Sequence, residues 1–276
     1  MDRRSYGERF ASHRMAANYR FRPGYSSEVY NTLSGLLRGR PRTLLDAGCG
    51  PGKIVGGLVD LIDRADAVDP SEEMLRIARS LPWGCDPKIR WVHARIEEAE
   101  LNPPYGLIVA GASIHWMELE RVLPRFKESL ASDAFLAVLD GDAPIDPPWE
   151  PEATRFMLDF VEKIEGERPR WWANASQRLR QPILDHPAFE RVGVVISDPF
   201  LVAQGITDFL KSEHSRATWS EDHLGEKASA QFDEGLRKVL TPFASDGILR
   251  FSVQTRVEWG RILSPGAQQE SAIGRY

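Results

Sequence analysis

The sequence predicts an α/β protein built on a seven-stranded, mostly parallel, doubly wound sheet, with a helical lid at the amino terminus and helical cap insertions. Three observations predict it. Apolar strand-like runs alternate with helix-like segments between about residues 40 and 140, the pattern of a parallel sheet wrapped by helices. One such run, Leu44-Leu45, leads straight into the alternating glycines Gly48, Gly50 and Gly52, with Asp46 two positions before the first. The chain of 276 residues is 42% hydrophobic and 27% charged, enough apolar matter for a large core domain with elaborations.

Residues 1–39 precede the first strand and read as the lid. Arg9 to Tyr19 and Ser26 to Leu37 carry helical spacing, and Pro23-Gly24 forces a turn between them. The aromatic residues there either fill a core or close over a bound ligand, with Tyr19, Arg22 and Tyr25 near a substrate. The first strand ends at the glycine turn, and Ile54, Leu58, Val59, Leu61 and Ile62 then mark the apolar side of a crossover helix. Residues 65–69 form a second strand ending in Asp69, and Ser71 caps the helix that follows. An acid about 20 residues past a glycine turn is where an open α/β fold places an acceptor for ribose hydroxyls.

Ile89 to Ala94 reads as a third strand, and the apolar run 105–112 as a fourth, covered on both faces. Ser113-Ile114-His115-Trp116-Met117 follows it, then a helix from about Glu120 to Leu130 and a fifth strand over 134–140. Residues 40–145 make up this core. Residues 146–263 form the cap together with the last two strands, expected at about 189–202 and 248–262, and residues 264–276 are a loose tail.

Composition excludes several classes of function. The net charge of −5 and the lack of a long basic run argue against a nucleic-acid partner. No stretch approaches the roughly 18 consecutive apolar residues of a membrane span. Cys49 and Cys85 make neither a disulfide framework nor a zinc spacing, so a reducing cytoplasm is expected. Asp140, Asp142 and Asp146 lie among prolines and read as a solvated turn, so no metal is expected. Asn174-Ala175-Ser176 has the form of a glycosylation acceptor, which carries no meaning in a cytoplasmic protein. The number of subunits is not readable.

The glycine turn has rivals that the residues exclude. A dinucleotide fingerprint starting at Gly48 needs glycine where Lys53 stands, and a phosphate-gripping loop needs glycine at Ala47 and a hydroxyl residue at Ile54. What remains, Asp-x-Gly-x-Gly-x-Gly, resembles motif I of the class I S-adenosylmethionine (SAM)-dependent methyltransferases. Asp69, the Tyr105-Gly106-Leu107-Ile108-Val109 strand and Ser113-Ile114-His115-Trp116 extend the resemblance across residues 40–140. The Arg22-Pro23-Gly24-Tyr25 lead-in and the His115-Trp116 pair are similar to trans-aconitate-methyltransferase-like members in particular.

The resemblance implies a Rossmann-like core, SAM as cofactor and a small-molecule acceptor. Cofactor contacts then fall on Asp46, Gly48, Gly50, Gly52, Asp69, Ile96 and Ala110. In the family the third strand's end often carries an acid, for which Arg95 stands here, leaving the backbone of Ile96 for adenine. The acceptor side falls on Tyr19, Arg22, Tyr25, His115 and Trp116. His115 is the candidate catalytic residue, as general base or as pocket lining, since the ordinary histidine pKa near 6.5 suits proton transfer. Trp171 and Trp172 are candidate pocket walls, and Arg22, Arg168 and Arg170 hint at a carboxylate acceptor. Direct in-line transfer needs no metal and no covalent residue. A catalytically silent SAM-binding protein and a nucleotide-dependent oxidoreductase are the alternatives, Lys53 counting against the latter.

Overall fold

The computed structural model describes residues 12–167 and 182–263, which divide into two compact units. The first comprises residues 27–140, 182–196 and 256–263, and the second residues 12–26, 141–167 and 197–255.

The first unit holds the expected sheet. Its strands are β1 (Thr43–Ala47), β2 (Arg64–Asp69), β3 (Ile89–His93), β4 (Tyr105–Gly111), β5 (Leu130–Asp140), β7 (Phe189–Ile196) and β10 (Arg256–Ile262), in the order β3-β2-β1-β4-β5-β10-β7. The first five are parallel, and β10 runs antiparallel to both β5 and β7. The central strands are largely apolar, as a sheet covered on both faces requires: Leu44, Leu45, Ala47, Leu107, Ile108, Val109 and Ala110 have no exposed surface.

Four helices complete this unit, α2 (Ser27–Leu37), α3 (Lys53–Leu58), α4 (Glu72–Ser80) and α5 (Leu119–Ser129). Val29, Leu33, Leu36 and Leu37 form the buried stripe of α2, and Ser71 caps α4 by accepting from the Met74 amide at 3.3 Å. Because β2 and β3 lie on one side of β1 while β4 and β5 lie on the other, the chain reverses its winding between β1 and β4. That reversal opens a crevice at the carboxyl ends of these two strands, the usual ligand position in an open α/β sheet.

The second unit contains α1 (His13–Asn18), a 3₁₀ turn over Tyr19–Phe21, β6 (Pro144–Ile145), α6 (Glu150–Glu165), β8 (Phe200–Gly205), α7 (Ile206–His214), α8 (Glu221–Leu224), α9 (Glu226–Leu240) and β9 (Ile248–Val253). Its three strands pair antiparallel in the order β6-β9-β8. Trp149, Phe160, Phe209, Trp219, Phe232 and Phe251 dominate its core. The Trp149 ring meets Phe209 and Phe251 edge-on at 5.8 and 5.9 Å, and Trp219 stacks on Phe232 at 5.0 Å.

Two expected strands divide. Residues 189–202 become β7 and β8, and residues 248–262 become β9 and β10, each half in a different sheet. The cause lies in the polar residues at the breaks. Ser197 donates its amide to the Thr255 carbonyl at 2.9 Å and accepts the Thr255 amide on Oγ at 3.0 Å. Gln254 Nε2 donates to the Ser197 carbonyl at 2.8 Å, and Thr255 Oγ1 to the Gly141 carbonyl at 3.1 Å. These bonds replace ladder bonds where the backbone leaves one sheet for the other. Arg168, Arg170, Trp171, Trp172, Asn174 to Ser176 and the tail from residue 264 lie outside the described residues. Among the described residues no helix is long and apolar enough to cross a membrane.

Candidate active site at the carboxyl ends of β1, β2 and β4

The glycine turn is folded against the end of β2. The amides of Gly48 and Cys49 both donate to the Val68 carbonyl, at 2.8 and 3.0 Å. The Gly50 amide donates to Asp69 Oδ2 at 2.7 Å, and the Ser71 amide to Asp69 Oδ1 at 2.8 Å. Asp69 therefore ties the turn to the start of α4 through both of its oxygens. Glycine is required at two points here. Gly48 has φ +70°, and a Cβ on it would stand 2.5 Å from Ser113 Cβ; Gly52 has φ +76°, and its Cβ would stand 2.5 Å from the Trp91 ring.

Asp46 has no exposed surface. Its Oδ2 accepts from the Val55 amide at 3.1 Å, while Oδ1 is buried without a hydrogen-bond partner among the described residues. Burial pushes its carboxyl up to about 7, against the help of the Val55 amide and with the Asp69 charge adding to the rise. Burial likewise pushes Asp69 up to about 6, opposed by the Ser71 and Gly50 amides and by His93. The Cys49 thiol goes up for the same reasons, burial first and then the two carboxylates. The loop thus concentrates acidic side chains whose charge is poorly solvated, an environment that favours a cation.

The end of β4 lies beside it. A 3₁₀ turn, Ile114–Trp116, carries His115, whose ring is 4.7 Å from that of Trp116. Both side chains are partly exposed at the switch point. Ile96 is nearly buried in the core of the first unit, 5% exposed. Ala110 has no surface to offer a ligand; exposure begins with Gly111 and Ala112, so the strand runs one residue further than the expected contact. Arg95 pairs with Glu97 at 3.4 Å and Glu118 at 3.2 Å, which links the turn after β3 to the start of α5.

The expected acceptor-side residues Tyr19, Arg22 and Tyr25 belong to the second unit. There Arg22 acts as an internal tether. Its Nε donates to Ser215 Oγ at 2.7 Å, Nη2 to the Ser215 carbonyl at 2.8 Å and Nη1 to Asp142 at 3.1 Å, and its guanidinium lies 4.4 Å from the Tyr19 ring centre. Arg216 reaches the other oxygen of Asp142 at 3.3 Å. Asp142 is therefore an ion-pair partner of two arginines and not a solvated turn residue.

Sequence reasoning places Ser113 in the motif after β4 but gives no sign that it donates to the Ala47 carbonyl at 2.6 Å, and it missed Trp83 and Trp91, which pack on Gly56 and Gly52. The closeness of Trp91 to the glycine turn depends on pairing β3 with β2, and no local signal in the sequence announces it.

Residues 44–133 match the family model described as a methyltransferase domain. This segment is a class I SAM-dependent methyltransferase domain. A malonyl-[acyl-carrier protein] O-methyltransferase of Acetivibrio thermocellus is 31% identical over 130 residues, covering 45% of each chain. A trans-aconitate 2-methyltransferase of Mycolicibacterium gilvum is 32% identical over 127 residues, covering 44% of each chain. The chain thus matches less than half the length of these curated relatives. A solved structure described as a putative type II methyltransferase from Anaeromyxobacter dehalogenans superposes with a TM-score of 0.63 at 21% identity, over 88% of this chain and 98% of that one, a likeness of fold. The methyltransferase domain is the segment that carries the glycine turn, Asp69 and His115.

Proposed function

We propose that the protein transfers a methyl group from SAM to a small-molecule acceptor. The observation that carries this reading is the buried acidic glycine turn, with Asp46 Oδ1 unpartnered among the described residues and both Asp69 oxygens fastened by backbone amides. SAM carries an ammonium and a sulfonium, and such a turn suits cations. Gly48, Gly50 and Gly52 hold the methionine end against bare backbone. Asp46 complements the ammonium, and Asp69, with a lone pair free on each oxygen beyond its amide bonds, accepts from the ribose hydroxyls. The backbone at Ile96 meets the adenine.

When bound, SAM supplies a methyl group already activated for attack. The chain's residues have to bind, orient and keep water out, and alignment alone is worth up to about 7–11 kcal/mol in the best model reactions. His115 and Trp116 stand on the acceptor side and line the pocket; an ionised carboxylate attacks without losing a proton, and His115 takes the proton only from an acceptor that carries one on its attacking atom. Tyr19 and Tyr25 are further acceptor-side candidates. The two relatives act, by their names, on malonyl-[acyl-carrier protein] and on trans-aconitate, which supports an acidic acceptor.

The test is calorimetric titration with SAM, S-adenosylhomocysteine and NAD, followed by a screen of small carboxylic acids for S-adenosylhomocysteine release. Micromolar binding of the two adenosyl ligands and turnover with an acid support the reading. Binding of NAD in their place overturns it.

A further inference from the structure

We infer that Ser113 is a positioning residue that holds the turn carrying His115 in register with the glycine turn. The inference rests on the methyltransferase reading above and deepens it. β1 and β4 are neighbours in the sheet, yet their ladder covers only Leu44 to Asp46 against Leu107 to Val109. Beyond those pairs β1 passes into the cofactor turn, while β4 runs on to Gly111 against β5 alone before the His115 turn begins. The Ser113 side chain bridges them. Ser113, 8% exposed, donates Oγ–H to the Ala47 carbonyl at 2.6 Å, one residue before Gly48.

Three features show that the surroundings are built around this contact. The Cβ that Gly48 lacks would fall 2.5 Å from Ser113 Cβ and 2.9 Å from its Oγ, so a glycine at 48 is what allows the close approach. Ala112, just before, has φ +51°, a left-handed conformation that a side chain adopts at a cost and that persists only where neighbours hold it. Its amide is fixed to the Leu139 carbonyl at 2.9 Å, which turns the chain out of β4. On the other side, the Ser113 carbonyl accepts the Trp116 amide at 3.0 Å and closes the 3₁₀ turn around His115. Ser113 therefore grips the cofactor turn with its side chain and the His115 turn with its backbone.

Removing the hydroxyl frees the Ala47 carbonyl and uncouples the turns while leaving the volume nearly filled. The test titrates S-adenosylhomocysteine calorimetrically into wild type, Ser113→Ala and Ser113→Cys, and follows the His115 ring by NMR across pH in all three. The loss of one buried hydrogen bond is expected to weaken binding about 3- to 10-fold in Ser113→Ala. The cysteine, with its weaker donor, is expected to fall between, and the His115 titration midpoint to move in the same order. A role limited to stability would lower the melting temperature while leaving both the dissociation constant and the His115 midpoint of the folded protein where they were, and that result overturns the inference. If Ser113→Ala does not fold, Ser113→Cys carries the same comparison. Failure of wild type to bind S-adenosylhomocysteine overturns the methyltransferase reading itself, and this inference with it; wild-type binding with unchanged variants overturns this inference alone.

Discussion

In the second unit Asp142 receives Arg22 on one oxygen at 3.1 Å and Arg216 on the other at 3.3 Å, and Glu213 pairs with Arg216 in turn. At the glycine turn of the first unit Asp46 and Asp69 are held by the amides of Val55, Gly50 and Ser71. Both regions draw carboxylates out of solvent, Asp46 fully, Asp69 nearly so and Asp142 in part, but they neutralise them differently. Asp142 finds its cations within the fold, so its charge is spent on holding α7 to the segment around Arg22. Amides compensate Asp46 and Asp69 only in part, and their pKa values rise to about 7 and about 6. A carboxylate held in that condition gains by meeting a cationic ligand, whereas one already paired does not.

The largest expected effect lies at the turn. Asp69→Ala removes the acceptor for the Gly50 and Ser71 amides together with the proposed ribose contact, and S-adenosylhomocysteine affinity is expected to fall about 100-fold, as loss of two charge-assisted bonds implies. Calorimetric titration measures it, and an affinity within a few-fold of wild type would break the comparison. Next comes Gly52→Ala, which forces a side chain to φ +76° and into the Trp91 ring. A loss of about 2–3 kcal/mol is expected in chemical denaturation.

In the second unit, Arg22→Met leaves an Asp142 oxygen and the Ser215 carbonyl without their donor, at an expected cost of about 1–3 kcal/mol. Denaturation monitored through tryptophan fluorescence reads this loss. An Arg22 variant as stable as wild type would show that the tether is dispensable.

The pH dependence sharpens the contrast. An Asp whose folded pKa is raised above its unfolded value of about 3.9 contributes stability at low pH that is lost as pH rises through the folded value. The ligand-free protein should therefore lose stability between about pH 4 and about pH 7 from Asp46 and Asp69. Binding of a cationic ligand should run the opposite way, tightening up to about tenfold per pH unit for each proton released below the carboxylate's pKa. Affinities measured at pH 5, 6, 7 and 8 that do not change would remove the acidic turn from the account.

The smallest effect is spectroscopic. His214, 2% exposed, faces two acceptors, the Trp219 carbonyl at 2.6 Å and Asp233 at 2.8 Å. Burial works against its charge, but these acceptors prevail and raise its pKa above the ordinary 6.5, so its stabilisation is present below that value and lost as pH climbs through the raised one. In Asp233→Asn its NMR titration midpoint should drop; an unchanged midpoint would show that the carboxylate does not hold the proton.

Much of the site was readable because its elements are local. The alternating glycines, Asp46 two residues ahead and Asp69 at the next strand's end fall within about 24 residues, and each has a residue-type requirement set by its own backbone. The helix stripe of α2 and the Ser71 cap were legible for the same reason. Arg22 was not. As a loop arginine beside aromatics it suited a carboxylate ligand, but its partners Asp142 and Ser215 are 120 and 193 residues away.

The sequence by itself determined the α/β class, the five parallel strands, the placing of the acidic glycine turn at the end of β1 and of His115 just past β4. These follow from hydrophobic periodicity and turn chemistry, which act over a few residues. The tertiary structure alone decided which strands lie side by side, and with that the Ser113 bridge to Ala47, the Trp91 ring against Gly52 and the division of residues 189–202 and 248–262 between two sheets. Such contacts are made by residues far apart in the chain, and their energy exists only once the sheets have formed.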